Sequence, residues 1–255
     1  MLIVFSMAMY SQASGGQIKR QSEKMSQRSS QKKHVKPTKP SSSNHNVVKI
    51  SNPDGYINGH GFVDLGLPSG TKWATCNVGT SSPEDYGYYL AWGEIEPRNI
   101  FDYKDTPLYG VAIDDICSND KYDAVKNKWG NGWSIPTKNQ WEELIQCCKL
   151  KAFKKNGIYG LLFIGKNGKT VFFPAGGIIR GGETNTDFKG AEGHYWTSNA
   201  DYTYRGEPTY AYASDAYSTE CIMGITTSST NSNPIAFFSP KWRSDRLNIR
   251  PVTFE

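Results

Sequence analysis

The sequence predicts an α+β domain with one or two helices and many short, mostly antiparallel strands. The chain has 255 residues, including 25 Gly, 15 Tyr and 7 Trp, a composition that suits short strands joined by tight turns and packed with wide aromatic rings. Helical capping and helical periodicity coincide near Thr137, and the apolar runs that follow are short and separated by turn residues. This order of elements favours α+β over a parallel βαβ sheet.

Residues 1–13 are expected to be a signal peptide, truncated at its start because no positively charged segment precedes the apolar run. The run is followed by Ser11 and Ala13, two small residues spaced as in a signal-peptidase site. It is too short to span a membrane, which needs about 20 apolar residues. We therefore expect export to the periplasm, cell surface or medium, with no transmembrane segment in the mature chain. The alternative is an apolar N-terminus with no targeting role.

Residues 14–58 are expected to be a disordered basic linker, and residues 59–255 the folded domain. The linker is rich in Ser, Gln, Lys and Pro, and it has too little apolar surface to offset the entropy of ordering. Nine Lys or Arg and one acid between Gln17 and Ile50 give that stretch a charge of +8, whereas the whole chain carries +5. The rest is therefore acidic, and no nucleic-acid partner is expected for the domain.

The first half of the domain is expected to hold two strands and one helix. Alternation predicts strands at Lys72–Val78, with Trp73 and Cys76 in the core, and at Tyr86–Trp92, whereas Asn99–Lys128 is expected to be an irregular surface excursion. Thr137 and Gln140 predict a capping box at the start of the helix. Its apolar stripe is Trp141, Leu144, Ile145 and Cys148, with Lys149, Lys151 and Lys154 near its end and Asn156-Gly157 terminating it.

The second half is expected to consist of strands and turns. Gly165–Gly168 predicts a hairpin between strands at Ile158–Ile164 and Thr170–Phe173, and the Gly-rich run 176–182 predicts a turn at which the chain passes close to another strand. Further short strands are expected at Tyr195-Trp196, Tyr210–Tyr212, Ile235–Phe238 and Leu247–Val252.

The reactive residue types do not form a recognisable catalytic or metal pattern. His194 is interpreted as structural, and His60 is the other histidine outside the tail. Glu96-Pro97-Arg98 places an arginine where a calcium-binding lectin needs an oxygen ligand, and Asp114, Asp115, Asp120 and Asp123 are expected to form a solvated loop. The five cysteines are Cys76, Cys117, Cys147, Cys148 and Cys221, and most are expected to be free or buried thiols. No metal, cofactor or catalytic residue is predicted.

Five blocks of the domain, read in order, resemble a known family. They are Val63–Gly79, Tyr86–Glu94, Asp123–Leu144, Phe172–Arg180 and Gly193–Ser198, and Asn248–Val252 closes the match. Over roughly residues 60–255 the chain resembles the secreted bacterial module called the Fibrobacter succinogenes major paralogous domain, which is common in Bacteroidota. The chain departs from the family pattern at Ser134, where an arginine is frequent. The resemblance implies a C-type-lectin-like fold related in shape to sulfatase-modifying enzymes, and it implies no activity.

The resemblance leaves three functions open. The first is a non-enzymatic binding or cell-surface module that recognises a protein or a glycan through loops of its C-terminal half, with Tyr202, Tyr204, Arg205, Trp242 and Arg243 as contact residues. These side chains could equally be ordinary surface residues. The second is a formylglycine-generating enzyme, which needs a pair of copper-binding cysteines late in the chain, where Cys221 stands alone. The third is a purely structural surface domain.

Overall fold

The structure is a computed structural model that describes residues 48–98, 102–201, 215–222 and 234–255, with only the backbone described for 215–222. Its helices are α1 (Ala124–Trp129) and α2 (Lys138–Cys147). Its strands are β1 (Gly55–Ile57), β2 (His60–Val63), β3 (Lys72–Ala74), β4 (Lys149–Lys155), β5 (Ile158–Ile164), β6 (Thr170–Pro174), β7 (Glu192–Asp201), β8 (Asp215–Ile222), β9 (Ile235–Trp242) and β10 (Val252–Thr253).

The strands form three antiparallel sheets, which confirms the α+β prediction. Their orders are β1-β2-β3-β10, β4-β5-β6 and β7-β8-β9. The second sheet contains the predicted hairpin, in which Gly165 and Gly168 close the turn between β5 and β6. The C-terminal strand β10 forms one edge of the first sheet, where Val252 pairs with Trp73 in β3.

The predicted domain boundary at residue 59 is too late. β1 lies inside the stretch predicted as linker and pairs with β2, with Gly55 opposite Phe62. Asn58 and Gly59 form the turn between these strands, and both have positive φ, 49° and 82°. An Asn-Gly pair with this conformation is a strong hairpin signal, and here it overrides the polar composition around it.

Both helices begin with a side-chain cap. Thr137 and Gln140 form the predicted capping box at the start of α2, and Trp141 and Leu144 bury its apolar face. The predicted end of this helix is wrong, because the lysines expected there, Lys149, Lys151 and Lys154, lie on strand β4, and Asn156-Gly157 is the turn into β5. The apolar β5 offers this Lys-rich segment a pairing partner, and tertiary pairing outweighs local helical periodicity.

The segment before α2 contributes more to the core than the sequence predicts. Asn99–Lys128 was expected to be a surface excursion, yet Leu108 and Ile116 in it are buried and helix α1 starts within it. The predicted strand at Tyr86–Trp92 is also wrong, since it forms only an isolated pairing of Leu90 with Leu247. Gly87, with φ of 71°, interrupts the extended conformation there. The strand predicted at Lys72–Val78 ends at Ala74.

The core has two aromatic clusters. In one, the rings of Trp73 and Trp141 lie 4.6 Å apart and Trp141 also contacts Phe173 at 5.2 Å, which fixes α2 against the sheets. The other contains Trp92, Trp129, Trp133 and Trp196 together with Leu247. At its edge the His60 ring stacks on Trp129 at 3.7 Å. Trp73 and Cys76 are both buried, as predicted.

Residues 243–253 pair with three segments that are far apart in the sequence. Leu247 bonds to Leu90, Arg246 to Ile179, and Val252 to Ser134 through the backbone. The predicted strand at Leu247–Val252 is thus a series of single pairings that ends in β10. The Gly-rich run 176–182 passes close to this segment as predicted, because a Cβ on Gly176 would lie 2.2 Å from Oδ1 of Asn248. Neither of the helices in the described ranges has the length and apolar character needed to cross a membrane.

Candidate functional site

An open cleft of about 370 Å³ lies where the segment after Gly87 meets the C-terminal segment. In the described part of the chain it is lined by Gly87, Tyr88, Tyr89, Pro97, Arg98 and Arg246. Two tyrosines, a proline and two arginines are residue types that dominate ligand-contact surfaces. Its volume falls within the range of about 300–1,000 Å³ that is usual for small-ligand sites. This cleft is the candidate functional site, and we call it the arginine cleft.

Glycines place Tyr88 at the mouth of the arginine cleft. The Tyr88 ring lies against Gly79, where a Cβ would approach the ring to 2.5 Å. Gly87 brings the chain so close to Val78 that a Cβ there would lie 2.2 Å from the Val78 carbonyl oxygen. The Tyr88 side chain is 37% exposed in this position. Its neighbour Tyr89 points inward, and its hydroxyl donates to the Gly176 carbonyl at 2.7 Å.

Glu94 holds Arg98 at the rim. The Glu94 side chain is 2% exposed, and its carboxylate accepts from the Ala91 backbone N–H at 2.9 Å and from Arg98 Nε at 2.7 Å. The Arg98 side chain remains 49% exposed beyond that ion pair. A buried carboxylate thus orients one edge of the guanidinium, and Nη2 donates to the Asp105 carbonyl at 3.2 Å.

Arg246 is the least satisfied charge of the arginine cleft. Its residue exposure is 6%, so its guanidinium is largely removed from water. It donates to the backbone carbonyls of Arg98, at 3.2 Å, and of Glu183. Its Nε–H is buried without an acceptor, and no carboxylate of the described ranges forms an ion pair with it. A buried cation in this situation raises the free energy of the empty site.

A third cation lies near Tyr88. Lys128 Nζ is 5.3 Å from the centre of the Tyr88 ring and 2.7 Å from Glu96 Oε1. Arg98 and Lys128 therefore each have a carboxylate partner, and Arg246 does not. Of these three cations, only Arg246 has no ion pair with a carboxylate of the described residues.

Of the contact residues predicted from sequence, the two that the structure describes, Trp242 and Arg243, do not line this cleft. Tyr202, Tyr204 and Arg205 lie outside the described residues. Trp242 ends strand β9 and is 37% exposed, but it does not line the arginine cleft. Arg243 is wrong as a surface contact, because it is 0% exposed, donates to the Val111 carbonyl at 2.9 Å and lies over the Trp92 ring at 4.3 Å.

His194 has a structural environment, as its sequence context predicts. It is 2% exposed and its Nε2 lies 3.0 Å from Glu192 Oε2; since a carboxylate only accepts, Nε2 carries the proton. Burial, with the charges of Lys241 and Arg180, lowers the pKa of His194 to about 3 despite that carboxylate. A neutral imidazole with a buried, unpartnered Nδ1 has no nucleophile to activate among the described side chains.

The acidic side chains and thiols do not create a metal centre in the described residues. Asp114, Asp115 and Asp120 are exposed as predicted, whereas Asp123 is 0% exposed and caps α1 by accepting from the N–H groups of Val125 and Lys126. The prediction of a solvated Asp123 is therefore wrong. Cys76, Cys117, Cys147 and Cys148 are free, and burial raises the pKa of Cys148 to about 12, so that thiol is protonated at neutral pH.

A second cleft of about 370 Å³ lies beside the β1–β2 hairpin. Its lining includes Tyr56, His60, Cys76 and Lys155. Lys155 is paired with Glu84 at 3.1 Å, and burial lowers the pKa of His60, which favours its neutral form. This second cleft therefore lacks the unneutralised cation that distinguishes the arginine cleft.

Comparison with protein-family models, curated proteins and solved structures finds no match for this chain. The class that fold and site define is an α+β domain with an open arginine- and tyrosine-lined cleft. Sequence reasoning missed this cleft because its lining comes from segments about 150 residues apart, Gly87–Arg98 and Arg246. The available signal was Gly87 within the aromatic run Tyr86–Tyr89, with a second glycine, Gly79, upstream.

Proposed function

We propose that this protein is an exported, non-enzymatic binding module that recognises a glycan or a protein at the arginine cleft. The observation that carries the proposal is the combination of an exposed Tyr88 ring, a half-exposed Arg98 and a buried, unneutralised Arg246 around one open cavity. The site differs from the C-terminal loops expected from sequence, since five of its six lining residues lie between Gly87 and Arg98.

Binding is favoured over catalysis by what the arginine cleft contains. Its described lining has no cysteine, serine, histidine or carboxylate that could act as a nucleophile or base. Arginine and tyrosine supply hydrogen-bond donors, charge and flat apolar surface, which are the means of recognition. The buried Glu94 is committed to holding Arg98 in place.

We further propose that the domain is a C-type-lectin-like member of the Fibrobacter succinogenes major paralogous family. Support comes from the resembling blocks and from the α+β class with two helices and antiparallel sheets. The block at Pro136-Thr137 begins helix α2, and the block at Ala91–Glu94 supplies the carboxylate that orients Arg98. Export rests on the apolar run and small residues of positions 1–13, which lie outside the described residues.

The test is binding of the full chain to a panel of immobilised glycans and surface proteins. We expect at least one binder, and we expect its affinity to fall about tenfold or more in a Tyr88→Ala/Arg98→Ala double variant, since each lost contact residue costs about 1 kcal/mol or more. The matched control is Lys149→Ala/Lys151→Ala on strand β4, which removes exposed cations of another sheet.

Three results would contradict the proposal. Binding that is equal in the wild-type chain and the double variant would place recognition elsewhere. Copper-dependent oxidation of a sulfatase cysteine peptide, lost on Cys221→Ser, would make the protein an enzyme instead. A panel with no binder would favour a purely structural surface domain.

A further inference from the structure

We propose that the arginine cleft is a carboxylate subsite for an acidic glycan, with Arg246 as the group that binds the carboxylate. This inference rests on the proposed binding function and names its ligand class. The ligand carries uronic-acid-type sugars, whose rings lie against Tyr88 and whose carboxylate supplies the counter-ion that Arg246 lacks.

The first argument is a comparison within one short segment, which buries three arginines. Arg243 lies 4.3 Å from the Trp92 ring centre and Arg250 lies 4.6 Å from that of Phe173, so each guanidinium stacks on an aromatic face. Arg250 also donates to Asn77 Oδ1 at 2.8 Å and to the Ala74 carbonyl at 3.0 Å. Its Nη2 is buried without an acceptor, as Nε of Arg246 is. Neither of these two side chains lines the arginine cleft, and Arg246 does.

The second argument is charge. A guanidinium carries its charge into the protein interior, so the groups around it must stabilise that charge. Its two protein acceptors are neutral carbonyls. Arginine presents its donors as a planar fork that matches a carboxylate, and a bidentate pair of this kind is stronger than bonds between neutral groups. A carboxylate entering the arginine cleft therefore neutralises the charge of Arg246.

The third argument separates a glycan from a peptide. An extended peptide binds best along an unpaired strand edge, where backbone groups are free. At this cleft the Tyr88 N–H already donates to Val78 and the Tyr88 carbonyl accepts from Asn248 at 3.0 Å. Leu90 and Leu247 exchange both backbone hydrogen bonds, at 2.9 and 3.0 Å. The backbone of Tyr88 and of the Leu90–Leu247 pairing beside it is therefore satisfied, so these positions offer no free strand edge to a peptide.

Tyr88 supplies the surface for the sugar ring. The face of an aromatic ring carries partial negative charge and attracts the polarised C–H groups on one side of a pyranose. The Tyr88 side chain is exposed and Pro97 offers a second flat surface in the same lining. A saccharide with a carboxylate can contact the flat ring surface and the guanidinium at the same time, whereas a simple anion can contact only the guanidinium.

The experiment compares three probes on the full chain by isothermal titration calorimetry. They are a galacturonic acid oligosaccharide, the same oligosaccharide as its methyl ester, and a polyglutamate peptide of similar charge. We expect the acid to bind about 10- to 100-fold more tightly than the ester, which is the value of a charge-assisted hydrogen bond. We expect the peptide to bind more weakly than the acid, because it lacks ring surface.

Two variants place the effect in the arginine cleft. Arg98→Gln changes an exposed rim residue and is expected to weaken binding of the acid but not of the ester. Arg246→Lys keeps the charge and removes the planar fork, and it is expected to reduce the preference for the acid. The control is Arg180→Gln, because Arg180 is half-exposed, paired with Asp187 at 3.0 Å and absent from this lining.

The outcomes distinguish the two proposals. Equal affinity for acid and ester, still lost on Tyr88→Ala/Arg98→Ala, would overturn the carboxylate subsite and leave the binding function intact. Tighter binding of polyglutamate than of the acid would overturn the glycan as ligand. Absence of any binding that depends on Tyr88 or Arg98, for these probes and for the wider panel, would overturn both proposals.

Discussion

Arg250 and Arg246 lie on the same short segment and are both buried, yet only Arg246 lines an open cleft. Arg250 is fully buried, stacks on Phe173 and donates to Asn77 and Ala74. Arg246 is almost as buried, and each guanidinium keeps one nitrogen without an acceptor, Nε in Arg246 and Nη2 in Arg250. Only Arg246 lines the open cleft. The difference separates a cation enclosed by the fold from one that a ligand in the cleft could reach, which is the role proposed for Arg246.

The largest effect is expected from Arg250→Ala, which tests the structural side of the comparison. The change removes the donor to Asn77 and Ala74 and opens a cavity beside Phe173, so we expect the free energy of unfolding to fall by about 3–5 kcal/mol. Urea unfolding of the full chain, followed by tryptophan fluorescence, measures it. Arg180→Ala is the control, with an expected cost of about 0–1 kcal/mol for an exposed ion pair. An equal loss of unfolding free energy in the two variants would contradict the structural role of Arg250.

Arg246→Gln tests the other side of the comparison. Loss of two bonds to carbonyls is expected to cost only about 1–2 kcal/mol of unfolding free energy, less than Arg250→Ala. The affinity for the galacturonic acid oligosaccharide is expected to fall about 10- to 100-fold. Unfolding and calorimetry on the same preparation measure both quantities. A variant that unfolds as readily as Arg250→Ala would show that Arg246 belongs to the structural class.

Features carried by a few adjacent residues could be predicted from the sequence. The Thr137–Gln140 capping box and the Gly165–Gly168 turn are both present, because each depends on hydrogen bonds within a few positions. The Asn58-Gly59 hairpin carried an equally local signal, but the polar composition of the neighbouring tail masked it. The antiparallel α+β class followed from several such local signals together.

Features that depend on distant pairing could not be predicted. The Lys149–Lys155 segment is a strand because β5 pairs with it, although its spacing also continues a helix. Arg243 and Arg246 are three positions apart and chemically identical, and only the tertiary structure places one over Trp92 and the other in the arginine cleft. Burial of an arginine by a ring far along the chain leaves no trace in local sequence.

Gly79→Ala tests whether the position of the Tyr88 ring in the arginine cleft matters for binding. A Cβ at Gly79 would lie 2.5 Å from the Tyr88 ring, and φ there is 87°. Gly168→Ala is the matched control, because φ is 82° but the space around it is open. Positive φ alone is expected to lower the free energy of unfolding by about 1 kcal/mol in each variant. In Gly79→Ala, displacement of the Tyr88 ring is expected to lower it by about 1 kcal/mol more and to weaken ligand binding. Identical stability and affinity in the two variants would argue against the role of Tyr88.

His194 is a buried basic side chain that, unlike the two arginines, becomes neutral when it is buried. Its protonation makes the stability of the protein depend on pH. Burial lowers its pKa to about 3 in the folded protein, whereas the unfolded value is near 6.5. The unfolded state therefore binds the proton more readily, so stability is complete above pH 6.5 and is lost as the pH falls toward 3. Linkage over the interval from pH 6.5 to 5 amounts to about 1–2 kcal/mol of unfolding free energy.

Replacing the imidazole tests this expectation. His194→Gln keeps a polar side chain that can bond to Glu192 but cannot titrate, so we expect a flatter dependence of unfolding free energy on pH between 6.5 and 5 than in the wild-type chain. His60→Gln is the control, because His60 lies at the edge of a cleft and loses less solvent. Parallel pH profiles for wild type and His194→Gln would show that the histidine retains its proton. The contrast with a buried guanidinium is chemical: an imidazole relieves its burial by becoming neutral, whereas a guanidinium is stabilised by neutral acceptors, an aromatic face or an anion.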